Sequence, residues 1–94
     1  MSYATISHWT CDDWTDDMVA SARDKYIPLI MSLGANKVQM IRTGDLSFSV
    51  VTEYSDAQTA ETAQAKVAEI RAQAAEELPM KMASSHAGDV FVTS

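Results

Sequence analysis

The sequence predicts one α+β domain, with two helices laid against a four-stranded antiparallel sheet in the order strand, helix, strand, strand, helix, strand. Three observations carry this. Four runs are rich in β-branched and aromatic residues or alternate in polarity. Two long stretches repeat apolar residues at helical spacing. Gly34, Gly44-Asp45 and Pro79 punctuate the boundaries between them. The 94 residues are enough for one domain, spanning 1–94, and not for two.

The first strand is expected over residues 3 to 10. Its alternation puts Ala4, Ile6 and His8 on one face and Tyr3, Thr5, Ser7 and Trp9 on the other. Neither face is cleanly polar, so the strand belongs in the middle of a sheet. Thr15 is placed to cap the first helix, with Asp16 and Asp17 at the positive end of its dipole. Met18, Ala22, Tyr26, Leu29 and Leu33 form its apolar stripe. Pro28 should bend this helix and Gly34 should end it.

Residues 37 to 43 and 46 to 54 read as a hairpin about Gly44-Asp45. Leu46, Phe48, Val50, Thr52 and Tyr54 share one face of its second strand. Ser55 and Gln58 fit a capping box for a long helix to about Leu78. Its inner stripe is Ala60, Ala63, Val67, Ile70, Ala74 and Leu78. Glu61, Lys66, Glu69, Arg71, Gln73 and Glu77 are assigned to its outer face. Residues 80 to 87 read as a fourth strand, broken at Gly88-Asp89 before the extended Val90-Phe91-Val92.

This order is the split βαβ, or ferredoxin-like, pattern. Right-handed crossovers put strands one and three in the centre, and both helices cover one sheet face. The other face carries Val51 and many small residues. That composition, and the thin core of so short a chain, point to a second copy packed there as a homodimer, with Val90–Val92 as an arm reaching across.

Charge narrows the partners. The net charge is -6, which argues against nucleic acid and against an anionic membrane. The opening segment lacks the basic start and apolar core of a signal peptide, and no apolar run approaches the ~20 residues of a membrane span. The expected location is the cytoplasm. Cys11, beside Asp12 and Asp13, is a poor candidate for a reactive thiolate.

The element order and the segment Val51-Thr-Glu-Tyr-Ser-Asp-Ala-Gln-Thr-Ala60 resemble the dimeric α+β barrel superfamily, within it the antibiotic-biosynthesis-monooxygenase-like domains. In that group the third strand ends in an aromatic residue, often Trp, before a polar cap and a helix of small apolar residues. Tyr54 stands at that position. The resembled group is functionally mixed, with cofactor-free oxygenases of quinol-like compounds, haem-degrading enzymes, isomerases and members without known activity. Of the Asn, Trp and Tyr side chains that its oxygenases use, only Tyr54 has a counterpart here. The haem-degrading members' Asn and His have no counterpart in the first strand or the second helix, and Gln64 lies near the His position.

Residue chemistry adds candidates. Tyr54 could orient a phenolic substrate, and His8 or His86 could act as base if both strands turn them toward the helices. Trp9 and Trp14 would wall a cleft lined by Met18, Tyr26 and Phe48. Two histidines without a third ligand make no metal site, and no nucleotide-binding loop is present. No cofactor is expected. The competing reading is a non-catalytic homodimeric module that binds a small aromatic ligand or only assembles.

Overall fold

The computed structural model describes residues 2–94. The chain runs β1 (Tyr3–Cys11), α1 (Asp16–Ser21), a π-helical turn (Ala22–Tyr26), α2 (Ile27–Met31), β2 (Ala35–Gly44), β3 (Ser47–Tyr54), α3 (Ala57–Glu77) and β4 (Met80–Asp89). The sheet order is β2-β3-β1-β4, all neighbours antiparallel. The two strands expected at the centre are there.

The first helix differs from expectation in an informative way. Thr15 caps it as read, its Oγ1 accepting from the Met18 N–H at 3.1 Å. Pro28, however, does not simply bend it. Proline cannot donate to the carbonyl four residues back and crowds it. The helix widens instead: the Ile27 N–H bonds to the Ala22 carbonyl, five residues back. The extra residue shifts the buried stripe by one. Met18, Tyr26 and Ile30 are buried, while Leu29 is exposed.

Gly34 follows with φ 102°, the left-handed region that favours glycine. A Cβ there would also lie 3.0 Å from Thr59 Cγ2, so the turn is pressed against the start of α3.

Three other expectations shift. Asp56, not Ser55, caps α3: its Oδ1 accepts from the Thr59 N–H and hydroxyl, each at 2.8 Å. A carboxylate is the stronger acceptor there. Leu46 lies in the turn and is exposed, outside the β3 face it was assigned to. Strand β4 continues through Gly88 and Asp89, which pair with Ala4 and Tyr3. Glycine without a Cβ neighbour is tolerated in an edge strand, and no heavy atom crowds that position.

The core has two parts on the helix-covered face. One gathers Ile30, Ala35, Tyr54, Ala60, Ala63 and Val67. The other is Trp9, Phe48 and Val50. The small side chains of Ala60 and Ala63 let the start of α3 pack into the first cluster beside Tyr54.

Candidate active site

Strand alternation and register build the site. In β1, Tyr3, Thr5, Ser7 and Trp9 face the helices. In β3, Phe48, Val50, Thr52 and Tyr54 do the same, and Trp9 lies opposite Phe48. Between this floor and the helices are two adjoining cavities of about 60 and about 140 Å³. They share Ala22, Met40, Phe48 and Met80 as walls. The larger is on the scale of an apolar cavity of about 150 Å³ that takes up benzene.

The walls are aromatic and locked. Trp9 stacks on Phe48 with ring centroids 6.1 Å apart and planes 6° from parallel. Its indole N–H donates to Ser7 Oγ at 2.8 Å. Trp14 meets Phe48 edge-on at 6.1 Å and carries the Arg42 guanidinium 4.0 Å over its ring. Arg42 is otherwise held by donating to the Gly44 and Asp45 carbonyls. Met18 closes the larger cavity and Tyr26 the smaller.

Tyr26 is fixed from outside. Glu77 Oε2 accepts from Tyr26 Oη and from Lys25 Nζ, both at 2.7 Å, and Glu77 Oε1 accepts from Gln73 at 3.0 Å. This hub ties the π turn to the end of α3. Burial, then the bond to Glu77, pushes the Tyr26 phenol up to about 12. The bonds from Lys25, Gln73 and Tyr26 hold Glu77 at about 2, against an ordinary 4.5. A carboxyl depressed in the folded state stabilises fully above its unfolded value and loses that contribution as pH falls. The expected result is that thermal stability drops between pH 4.5 and about 2 more steeply in the parent than in Glu77→Gln. Parallel curves over that window would contradict the hub.

The polar end of the cleft lies elsewhere. Tyr54 is 2% exposed. Its hydroxyl has no hydrogen-bond partner among the described residues, yet no side-chain polar atom among them is both fully buried and unbonded. The hydroxyl therefore keeps some accessible surface, and Tyr54 lines the smaller cavity. Burial pushes this phenol up, with Arg71 partly opposing, so it is a neutral donor. Arg71 lines the same cavity, half-buried, and burial lowers its own pKa.

Arg71 was assigned to the outer face of α3 and is instead on the flank of its inner stripe. It sits four residues after Val67 and three before Ala74, both buried. That spacing was visible in the sequence; a long charged side chain reads as solvent-facing by default.

The histidines are a correction. His8 points to the other face of the sheet, with Nδ1 2.7 Å from Ser49 Oγ, and its ring lies 6.2 Å from His86. Neither lines either cavity. Alternation forces this: with Trp9 facing the helices, its neighbour His8 must face away, and His86 pairs with Ile6 on that same outer side. The two histidines do come together, but not with Tyr54. Cys11 is buried, and burial above all raises its thiol pKa, with Asp12 and Asp13 adding. No group of three or more potential metal ligands occurs among the described residues. Among them, no helix is long and apolar enough to cross a membrane.

No protein-family profile and no curated protein sequence matches the chain. Solved structures do. SnoaB, a cofactor-independent oxygenase from Streptomyces nogalater, superposes with a TM-score of 0.75 at 13% identity, over 98% of this chain and 95% of its own. A dimeric ferredoxin-like protein from an uncultured marine organism gives 0.69 at 10%, over 100% and 98%. The ActVA-Orf6 monooxygenase of Streptomyces coelicolor, in complex with nanaomycin D, gives 0.64 at 12%, over 99% and 92%. The fold is the ferredoxin-like one of these structures. At these identities the likeness establishes the fold alone, and the chemistry has to be argued from the cleft.

Proposed function

We propose that the chain is a cofactor-independent, monooxygenase-like enzyme that acts on a small aromatic or quinol-type compound in the cleft between helices and sheet. One observation carries this reading. Trp14, Met18 and Phe48 wall a space of aromatic-ring scale, and the adjoining smaller space, walled by Trp9, Tyr26 and Phe48, is lined by Tyr54. The shared fold with a cofactor-independent oxygenase supports it.

The chemistry asks little of the protein. A phenolic ring loses its proton, and the resulting anion supplies the electrons that reduce dioxygen. The ring carbon para to the ionised oxygen bonds to dioxygen. The peroxide then loses water, leaving a quinone carbonyl. One oxygen atom enters the product and the other leaves as water. The chain's part is to hold the ring flat between aromatic walls, keep bulk water out, and orient the phenol through Tyr54. No imidazole or carboxylate among the described residues lines the cleft, so the phenol's proton passes to solvent before the ring is enclosed.

The test is oxygen uptake with a dihydroxynaphthalene, compared with its uncatalysed oxidation. Tyr54→Phe is expected to keep the fold and lose about tenfold or more in kcat/KM, the scale of one hydrogen bond to a charged oxygen. Uptake at the uncatalysed rate by the parent would sink the enzyme reading. The absence of an acid–base side chain from the cleft favours the second reading in that case, a binding module without turnover.

The assembly belongs to the same proposal. The outer sheet face exposes Ile6 at 38% and Ile41 at 47%, with Val51 between strands β1 and β2. Beyond β4, Phe91 is 86% exposed. A second copy packed on this face would cover all of them, and a dimeric protein of this fold supports that occupant. His8 and His86 then belong to the interface.

A further inference from the structure

Arg71 differs from the other cations that this fold fixes in place. Arg23 pairs with Asp24, Lys25 with Glu77 and Lys66 with Glu69, all at the exposed surface. Arg42 is occupied by two carbonyls and the face of Trp14. Arg71 is half-buried, lines the cleft, and has neither a carboxylate nor a hydrogen-bond acceptor among the described residues. No Asp or Glu among them lines either cavity. A guanidinium partly removed from water without a counter-charge is costly to the folded state, and an anion supplied from outside would relieve that cost.

The neighbours of Arg71 point the same way. Tyr54 places a second donor at this end of the cleft, and the remaining walls are mostly apolar. The site thus offers donors and positive charge beside aromatic faces. That is complementary to a negatively charged oxygen on a flat ring and mismatched to a cation. The guanidinium fork suits a carboxylate with two parallel bonds, and it would equally favour the ionised form of a phenol. The chain as a whole carries a charge of -6, so any preference for anions must be local to this cleft.

We propose that Arg71 makes the cleft selective for aromatic anions: flat rings whose polar group is a negatively charged oxygen, either a carboxylate or a phenol ionised beside the guanidinium. This rests on the reading of the cleft as an aromatic site. It goes further by naming the charge of the ligand and the residue that selects it.

Three probes separate the sources. Naphthoate and neutral naphthalenemethanol are titrated while following Trp9 and Trp14 fluorescence, and naphthol is followed by its own ionisation spectrum. Each is run on the parent and on Arg71→Gln. If the ligand is a carboxylate, the parent binds naphthoate about tenfold to a hundredfold more tightly than the alcohol, the range of charge-assisted bonds. Arg71→Gln then loses that preference while still binding the alcohol, which also shows that the variant is folded. If the ligand is a phenol, naphthol bound to the parent is ionised at a pH where free naphthol is not, and naphthol bound to Arg71→Gln is neutral. The proposal is overturned if the parent shows neither preference, or if a preference survives in Arg71→Gln. Failure of all three probes to bind would remove the aromatic-site reading itself, and this inference with it.

Discussion

Replacing Trp9 with alanine is expected to destabilise the domain by about 3–5 kcal/mol. Trp9 is buried at the centre of the sheet, stacks on Phe48 and belongs to the cluster against which Met40 and Met80 pack. Its removal enlarges a cleft that is already partly empty, so the neighbours have little reason to collapse inward. It also frees the Ser7 hydroxyl, which now accepts the indole N–H. A domain of this size has only about 5–15 kcal/mol in total, so the variant should sit near the edge of folding. Urea titration is the direct measurement: the midpoint should fall sharply with the slope preserved. A midpoint within experimental error of the parent would mean that the Trp9 side chain does not sit in the cleft floor.

The second large effect concerns assembly. Ile6→Glu should leave each subunit folded, because Ile6 is exposed on the outer sheet face. It should break the proposed dimer. In that dimer the substitution would bury a carboxylate from each copy in an apolar contact beside Val51, with His86 of the same sheet as the one near basic group. Stranding one charge in an interface costs about 3–5 kcal/mol, so dissociation should become at least about a hundredfold easier. Native mass spectrometry of the parent and the variant reads this at one concentration. A parent that is monomeric at micromolar concentration would remove the second copy from the account, and a variant as dimeric as the parent would place the contact on another face.

The sequence carried the architecture because its signals agree at several levels. Thr15 sits at a cap, Gly34 at a positive φ, and the alanines of α3 at the spacing of a helix that packs closely. The cleft's aromatic residues were legible for the same reason: period-two alternation groups Trp9 with Ser7 and Thr5, and Phe48 with Tyr54. What alternation cannot say is which face of the strand the helices will cover. His8 and Trp9 are adjacent, so any site that included both was bound to fail on one of them.

The stripe of the first helix failed for another reason. A count at 3.6 residues per turn assumes unbroken α-helix, and Pro28 inserts a wider turn that moves the buried position from Leu29 to Ile30. The charge of Arg71 suggests solvent, whereas its position between the buried Val67 and Ala74 points inward. Its unpaired state is a tertiary fact. Only the folded chain shows that no carboxylate among the described residues pairs with it.

The central claim is that the space between helices and sheet is a binding site for a flat aromatic ring. Methionine methyl groups test it directly. Met18, Met40 and Met80 line the cleft, whereas Met31 and Met82 are exposed away from it. Methyl-labelled protein titrated with naphthol should show ring-current shifts at Met18, Met40 and Met80, with Met31 and Met82 unmoved. Shifts confined to Met31 or Met82, or none at saturating naphthol, would contradict the claim.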